Sequence, residues 1–409
     1  MPSRAMSHSA RDQLVSAALS LIAERGLRAV TARAVADLAG QSPSATNYYF
    51  EGRDGLLTAA FSLAAMDVAA WRASWSGTLA ARPPASAFRG WFLAHVLSGL
   101  ERAPAQMVLR ELRHHSARSD LHRPLARQVQ SATDRFWGGV EQAFGLEPGV
   151  AEACADFSEA ILGIHGGPPD HPDQTAWLIE SAQRVCARLQ GARAEAEGWD
   201  GWRQRARARS ARLPSRESSP GGSAARIAAA AADVLGREGM EALTHRAVAG
   251  ASGLSLASVS GHFPTRVSLV QAAFDHLIGS VQAVREGVLP AIEKPRPPAE
   301  VLAEVALVLF DEQGAAAPGL LALDELLTAA VREPELRRDA EDLRASRGEN
   351  SAVLLARIEH RTEAPDGLDA HLLSIVTTGA MRAAYALEPE ARRPWLAERL
   401  TRSVTALFA

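Results

Sequence analysis

From residue 11 onward the chain sets short apolar stripes at helical spacing between glycine and proline stops. Leu14, Ala17, Ala18, Leu21 and Ile22 fall three and four apart, so they line one face of an amphipathic helix that Gly26 ends. Thr31 is placed to cap the next helix, since its side-chain oxygen can accept a backbone N–H left unpaired in the first turn. Ala34, Val35 and Leu38 are that helix's apolar face, and Gly40 is free to turn left-handed and stop it. Ser42 is expected to cap a further helix with Pro43 at its first position, where a missing N–H costs nothing. Phe50, a core residue on this pattern, the turn Glu51-Gly52 and Arg53 come next, before Leu56-Leu57 open another helix.

Two short helices around a glycine turn are the helix-turn-helix arrangement, whose second helix reads the major groove. The succession here is specific: glycine, a short spacer and threonine; Ala-Gly-x-Ser; then Tyr-Tyr-Phe-x-Gly-Arg-Asp-Gly-Leu-Leu. Over residues 11 to 61 it resembles the TetR family of bacterial transcriptional regulators.

The pattern occurs twice. Gly26, Thr31, Arg33, Gly40, Ser42, Phe50, Arg53 and Leu56 recur as Gly239, Thr244, Arg246, Gly253, Ser255, Phe263, Arg266 and Leu269 at one offset of 213 residues. About a third of the positions across the two heads are identical without a gap. A Pro-Pro break also recurs, at Pro83-Pro84 and Pro297-Pro298, so the whole subunit is duplicated and not its head alone. The division read from this is a flexible tail at 1–10, a first DNA-binding domain at 11–61 and a first helical regulatory domain at 62–196. An Arg/Gly/Ser/Pro linker at 197–222 leads to a second helix-turn-helix domain at 223–274 and a second regulatory domain at 275–409. Helices are expected at about 104–116, 122–144, 149–163 and 173–196, with a Gly/Pro loop at 166–172. In the second half they are expected at 275–288, 298–313, 318–332, 334–361, 366–386 and 389–408.

Composition agrees with an all-α fold of two tandem units, since aromatic residues are 5% and strand-type β-branched clusters are scarce. A net charge of −3 does not argue against nucleic acid, because phosphate binding needs a local basic face and not a basic total. Cys154 and Cys186 lack the spacing of a metal site or disulfide framework and read as buried thiols. No cofactor and no metal is expected. No apolar run is read as long enough to span a membrane and no signal-peptide core is present, so a cytoplasmic protein without a membrane partner is expected. The GxSxG, P-loop, GxGxxG and HExxH motifs are absent, and His114-His115, His165 and His171 lack matching carboxylates or cysteines, so no catalytic residue is assigned.

The second helix of the motif presents Ser44, Ala45, Asn47 and Tyr48 to base edges, with Gln41 at the turn. Asn47 suits adenine N6 and N7, and Ala45 a thymine methyl. Phosphate contacts fall to Thr31, Arg33, Tyr48, Tyr49 and Arg53, the last standing where the family usually carries lysine, and Ser42 is counted with the DNA-binding residues. The second head has Thr244, Arg246, Ser255, Ser258, Ser260, His262 and Arg266 at the corresponding region. There Ser260-Gly261 replaces the aromatic pair, and glycine costs a helix ~1 kcal/mol against alanine, so weaker or lost DNA contact is expected of that half. His262 has two readings, a phosphate contact or a hydrogen bond to backbone.

The resemblance implies that each remaining half forms a small-molecule pocket and a four-helix association interface, the latter from about 149–196 and 366–408. Trp71, Trp75, Trp91, His95, His114, Phe136 and Trp137 are candidates for the first pocket's lining, against the plainer reading that such rings are core. The linker arginines Arg203, Arg205, Arg207, Arg209, Arg212 and Arg216 either track DNA or form a solvated charge run. The function expected is a ligand-responsive regulator, a repressor in the family's commoner mode. One chain would act on an asymmetric or imperfectly palindromic double-stranded operator as a pseudo-dimer, with higher assembly open. The alternative is a ligand-sensing or protein-interaction module whose degenerate second head does not bind DNA.

Overall fold

The computed structural model describes residues 9–80, 82–165, 172–190, 203–205, 207–208, 222–288, 294–359 and 365–408. Residues 1–8 of the expected tail, 166–171 of the Gly/Pro loop, 191–196, 360–364 and most of the linker lie outside the described residues. Among those described, regular structure is helical, and pairing of β type is confined to the isolated bridges Arg296–Ile358 and Phe310–Ala316.

The first head is α1 (Ala10–Arg25), α2 (Ala32–Ala39), α3 (Pro43–Phe50) and the start of α4 (Arg53–Leu79). Thr31 Oγ1 accepts the Ala34 N–H at 3.2 Å, and Gly40 ends α2 at φ 64°, as the sequence requires. Ser42 occupies the cap of α3 without capping it: its hydroxyl pairs with Ser44 Oγ at 2.9 Å and accepts no backbone N–H of the first turn. Leu14, Ala18, Ile22, Val35, Leu57 and Phe61 make the head's core, and Phe50 is buried with them. Leu38, expected on the buried face of α2, is 55% exposed, because Val35 and Ala36 are the positions of that helix turned inward.

α4, 27 residues long in all, runs on out of the head. Contrary to the sequence reading, it is long and apolar enough, by length and composition, to cross a membrane. Its stripe of Leu57, Phe61, Ala64, Val68 and Trp71 is instead buried within the protein. The rest of the first half is α5 (Phe88–Leu100), α6 (Ala103–Arg118), α7 (Arg123–Phe144), α8 (Val150–His165) and α9 (Pro172–Leu189).

The second half repeats the head as α10 (Ser223–Glu238), α11 (His245–Ser252), α12 (Leu256–His262) and α13 (Arg266–Val288). It goes on as α14 (Pro298–Leu309), α15 (Pro318–Arg332), α16 (Arg337–Ser346), α17 (Glu349–Ala356), α18 (Gly367–Ala384) and α19 (Pro389–Phe408). The single helix expected over 334–361 is broken into α16 and α17, with a 3-10 turn at Pro334–Leu336 before them. Gly348 makes the break at φ 97°, and a Cβ there would meet the His371 backbone at 2.8 Å, so a side chain has neither the conformation nor the room.

α8 and α9 pack with α18 and α19, each of the four touching the other three. Phe157, Ile161, Leu372, Ile375, Val376, Leu400 and Val404 are fully buried in one core that runs through both halves. Each such side chain contributes roughly 1.5–3 kcal/mol by leaving water. The helices approach closely at Gly379, where an added Cβ would collide with the Asp156 carbonyl oxygen.

Candidate nucleic-acid interface and effector cavity

Helical periodicity divides α3 into two faces. Thr46 and Phe50 point into the head, while Ser44, Asn47, Tyr48 and Tyr49 face solvent. Tyr48 is 81% exposed and meets Tyr49 edge to face at 4.9 Å, a large amphipathic surface. Ala45 is half-buried against the head core, and Gln41 donates to Gln13 Oε1 at 2.7 Å. Arg33 is exposed and only loosely paired with Asp37, at 3.8 Å.

In the second head Ser255 caps α12 through the Ser258 N–H at 3.1 Å, and Thr244 caps α11 through Ala247 at 3.1 Å. Ser260, Gly261, His262 and Arg246 are exposed and Ser258 half-buried. The backbone bond that the sequence allowed for His262 is made by another histidine: His245 Nε2 lies 2.7 Å from the Phe263 carbonyl oxygen. His262 is left facing solvent.

Arg53 and Arg266, both expected at phosphates, also bond to their own protein while staying partly open to solvent, with side chains 41% and 29% exposed. Arg53 donates to the carbonyls of Val30, at 3.1 Å, and Leu27, and it reaches the Glu241 carboxylate of the other half. Arg266 donates to Met240 O at 3.2 Å and Glu333 at 3.1 Å. Each arginine thus satisfies carbonyls of the loop that follows its head's first helix. Arg28 Nη1 adds a bond to Leu243 O at 3.3 Å, so the two heads touch directly.

A second set of ties was not anticipated. Arg118, at the end of α6, donates to the carbonyls of Leu235 and Gly236 at 3.0 and 3.2 Å and pairs with Glu325. Arg332, at the end of α15, donates to Ala23 O at 2.9 Å and pairs with Glu111. The two sets mirror each other, since Arg118 and Arg332 are 214 residues apart, as are Glu111 and Glu325. Each places a cation on the carbonyl end of the other half's first helix, where the helix dipole is negative. A cleft of about 520 Å³ between the heads is lined by these residues. The sequence carried this signal, an Arg and a Glu recurring seven apart on corresponding helices, outside the head repeat.

Deeper in the boundary lies a buried polar cluster. Asp324 accepts from Arg382 Nε at 2.8 Å and lies 2.7 Å from His114 Nε2 of the first half. Burial alone would raise the Asp324 carboxyl, and the charges of Arg382 and His114 hold it well below its ordinary value instead. Arg110 Nη1 donates to Thr328 Oγ1 at 3.0 Å in the same layer.

His114 is therefore separate from the other residues expected to line a first pocket. Those six interlock. His95 stacks on Trp71 at 4.5 Å, on Trp91 at 5.2 Å and on Phe136 at 5.2 Å, and lies edge to face with Trp75 and Trp137. The indole N–H groups of Trp71 and Trp75 both donate to Ser98 Oγ, at 3.1 and 3.0 Å, and that of Trp91 to Thr78 Oγ1 at 2.8 Å. Burial, and secondarily the Arg72 charge, push the His95 imidazole down to about 3.

An open cavity of about 400 Å³ lies in the second half, between α13, α14, α15, α16, α17 and α18. Of the linker arginines, Arg203 and Arg207 pair with Glu349 at 2.8 and 2.6 Å, and Arg205 with Asp173 at 3.3 Å. These three rest on the protein, which neither sequence reading of the linker foresaw. Arg209, Arg212 and Arg216 lie outside the described residues. Among the described residues, no group of three or more His, Cys, Asp or Glu is placed to hold a metal ion.

A family model described as bacterial regulatory proteins, tetR family, matches residues 14–60 and again 227–273. No curated protein matches the chain.

Proposed function

The chain belongs to the TetR family of bacterial regulatory proteins, with two TetR-like units in tandem, and from that premise we propose that one chain acts as a single-molecule pseudo-dimer on an asymmetric operator. The observation that carries this reading is the pair of unlike reading helices in one polypeptide. α3 offers Ser44, Asn47, Tyr48 and Tyr49, and α12 offers Ser260, Gly261 and His262. A two-fold dimer of identical heads reads a palindrome, whereas unlike heads read unlike half-sites. A linker of the order of 30 residues reaches up to ~100 Å and keeps each unit at roughly millimolar effective concentration for the other, so pairing is independent of expression level.

Ligand response, by operator release, is the second part of the proposal. α15 supplies its route. Leu323, Asp324 and Leu327 line the cavity, while Glu325 pairs with Arg118 and accepts the Met240 N–H at 2.8 Å, and Arg332 holds Ala23. One helix thus touches the cavity and both heads, and a ligand that shifts it would reset head separation. A differential of 1–3 kcal/mol is enough to change operator affinity by about 5- to 150-fold.

The test is selection of binding sites by the full chain, with mass measurement of the selected complex. One chain per site and unlike half-sites are expected. Perfect inverted repeats occupied by two chains would overturn the pseudo-dimer. A second reading, in which the second unit only pairs and senses, rests on Gly261 and the small side chains of α12; half-site variants that matter on one side only would select it.

A further inference from the structure

The cavity of the second half has one apolar end and one cationic end. Ile278, Val305, Leu309, Leu327, Leu354 and Met381 form its apolar wall. At about 400 Å³ it falls within the ~300–1,000 Å³ of sites that enclose small organic molecules.

Three charged groups on the wall decide what it can take. Asp324 is already neutralised by Arg382 and His114. Glu349 is paired with Arg203 and Arg207. Arg347 has hydroxyl partners only: its Nη1 donates to Thr378 Oγ1 at 2.9 Å and Ser374 Oγ at 3.3 Å, and no described carboxylate closes on it within ion-pair distance. Burial, with the Arg382 charge beside it, lowers the Arg347 guanidinium to about 10, which leaves it a cation at neutral pH. A cation held by two hydroxyls at the edge of an apolar hole, whose acting carboxylate, Asp324, is itself paired with Arg382, is an incomplete arrangement that an anionic ligand group completes.

The first half is unlike it. The interior between α4, α5 and α7 is filled by Trp75, Trp91, His95, Phe136 and Trp137, stacked or edge to face on one another, with the indole N–H groups of Trp75 and Trp91 satisfied from within. A ligand would have to displace rings worth several kcal/mol of packing.

We propose that the chain binds one amphipathic anion, a carboxylate or sulfonate on an extended apolar body, in the second unit alone, with the acid group on Arg347. This rests on the ligand-responsive reading and gives it a substrate class and a stoichiometry of one per chain.

The experiment uses the full chain and the fluorescent sulfonate 1-anilinonaphthalene-8-sulfonate as probe, displaced by decanoate, decanol or decylamine. Saturation at one probe per chain is expected, with decanoate displacing it at least 10-fold better than decanol, and decylamine failing. Arg347→Gln should lose about 10-fold or more for decanoate and little for decanol. Leu323→Trp, which fills the cavity, should abolish probe binding, with circular dichroism confirming the fold of both variants. Equal affinity for decanol and decanoate, two probes per chain, indifference to both substitutions, or no binding of probe and decanoate would each overturn the proposal. Operator binding by the ligand-free chain, measured in parallel, separates the outcomes: if it persists while the probe fails, the regulator survives and this site does not.

Discussion

Arg399 grips both carboxylate oxygens of Asp156, at 3.0 and 2.9 Å, from the last helix of one half to the eighth helix of the other. The reverse crossing joins Arg184 to Asp369 at 3.2 Å, and Asp156 and Asp369 are themselves 213 residues apart. Side chains of this kind, 4% or less exposed, add little net stability as a pair, because desolvation offsets most of the attraction. They instead punish a wrong partner, most of all at Asp156, whose ion-pair partner among the described residues is Arg399 alone, whereas Asp369 also meets Arg188 and Arg184 also meets Asp366. Asp156→Asn should destabilise the chain by about 3 kcal/mol, somewhat moderated by Asp134, which lies 3.3 Å from Arg399. Asp156→Leu combined with Arg399→Met should recover most of that loss. Urea midpoints of the three proteins check it, and a double variant no better than the singles would sink the argument.

Arg53 and Tyr48 separate architecture from DNA contact. The Arg53 guanidinium satisfies Val30 and Leu27 carbonyls, so Arg53→Ala should cost the first head about 1–3 kcal/mol before any DNA is added. Tyr48 is mostly solvent-exposed, and Tyr48→Ala should stay within about 0.5 kcal/mol in stability. In operator binding Tyr48→Ala should lose about 10-fold. Thermal melts beside salt-dependent binding curves check both halves of the statement.

His95 makes stability depend on pH in a defined direction. Its unfolded pKa is ~6.5 and burial lowers the folded value to about 3, so between those limits the unfolded chain holds the extra proton. Stability from this group is complete above pH ~6.5 and falls as pH drops toward 3, with a slope approaching 1.4 kcal/mol per pH unit. His95→Phe keeps the ring stack and removes the titration. The stability difference between wild type and variant should change by about 3 kcal/mol from pH 6.5 to pH 4. A difference that stays flat across that range would show that His95 is not held neutral.

What was legible in the sequence was local. Caps at Thr31, Thr244 and Ser255 and left-handed glycines at Gly40 and Gly253 depend on neighbours within four residues, so both heads could be read from spacing alone. The exposed face of α3 followed from the same periodicity. Contacts between distant segments were out of reach. Gly348 breaks an apparently continuous helix only because the His371 backbone passes beside it. Nothing in the Arg53 stretch announces the carbonyls and the Glu241 that engage it. The aromatic residues of α4, α5 and α7 were conspicuous, whereas the apolar wall of the second-half cavity is made of aliphatic residues that look like ordinary core. An open space has no sequence signature when what matters is the ring that is missing.

Gly261 offers the sharpest question about the second head. It sits in α12 with solvent around it, and an added Cβ would meet nothing within 4 Å. Without strain to oppose it, Gly261→Ala should stabilise that helix by up to ~1 kcal/mol and raise the melting temperature slightly. The fold itself gives glycine no steric reason at this position, so any reason would lie outside the folded chain. If α12 enters a groove, a backbone approach to phosphate or sugar is that reason, and the alanine variant should bind its operator several-fold more weakly while melting higher. If the second head only pairs, the variant should melt higher and bind equally well. Opposite movement of stability and affinity in one substitution cannot be produced by a general loss of structure, so the paired measurement assigns the second head either way.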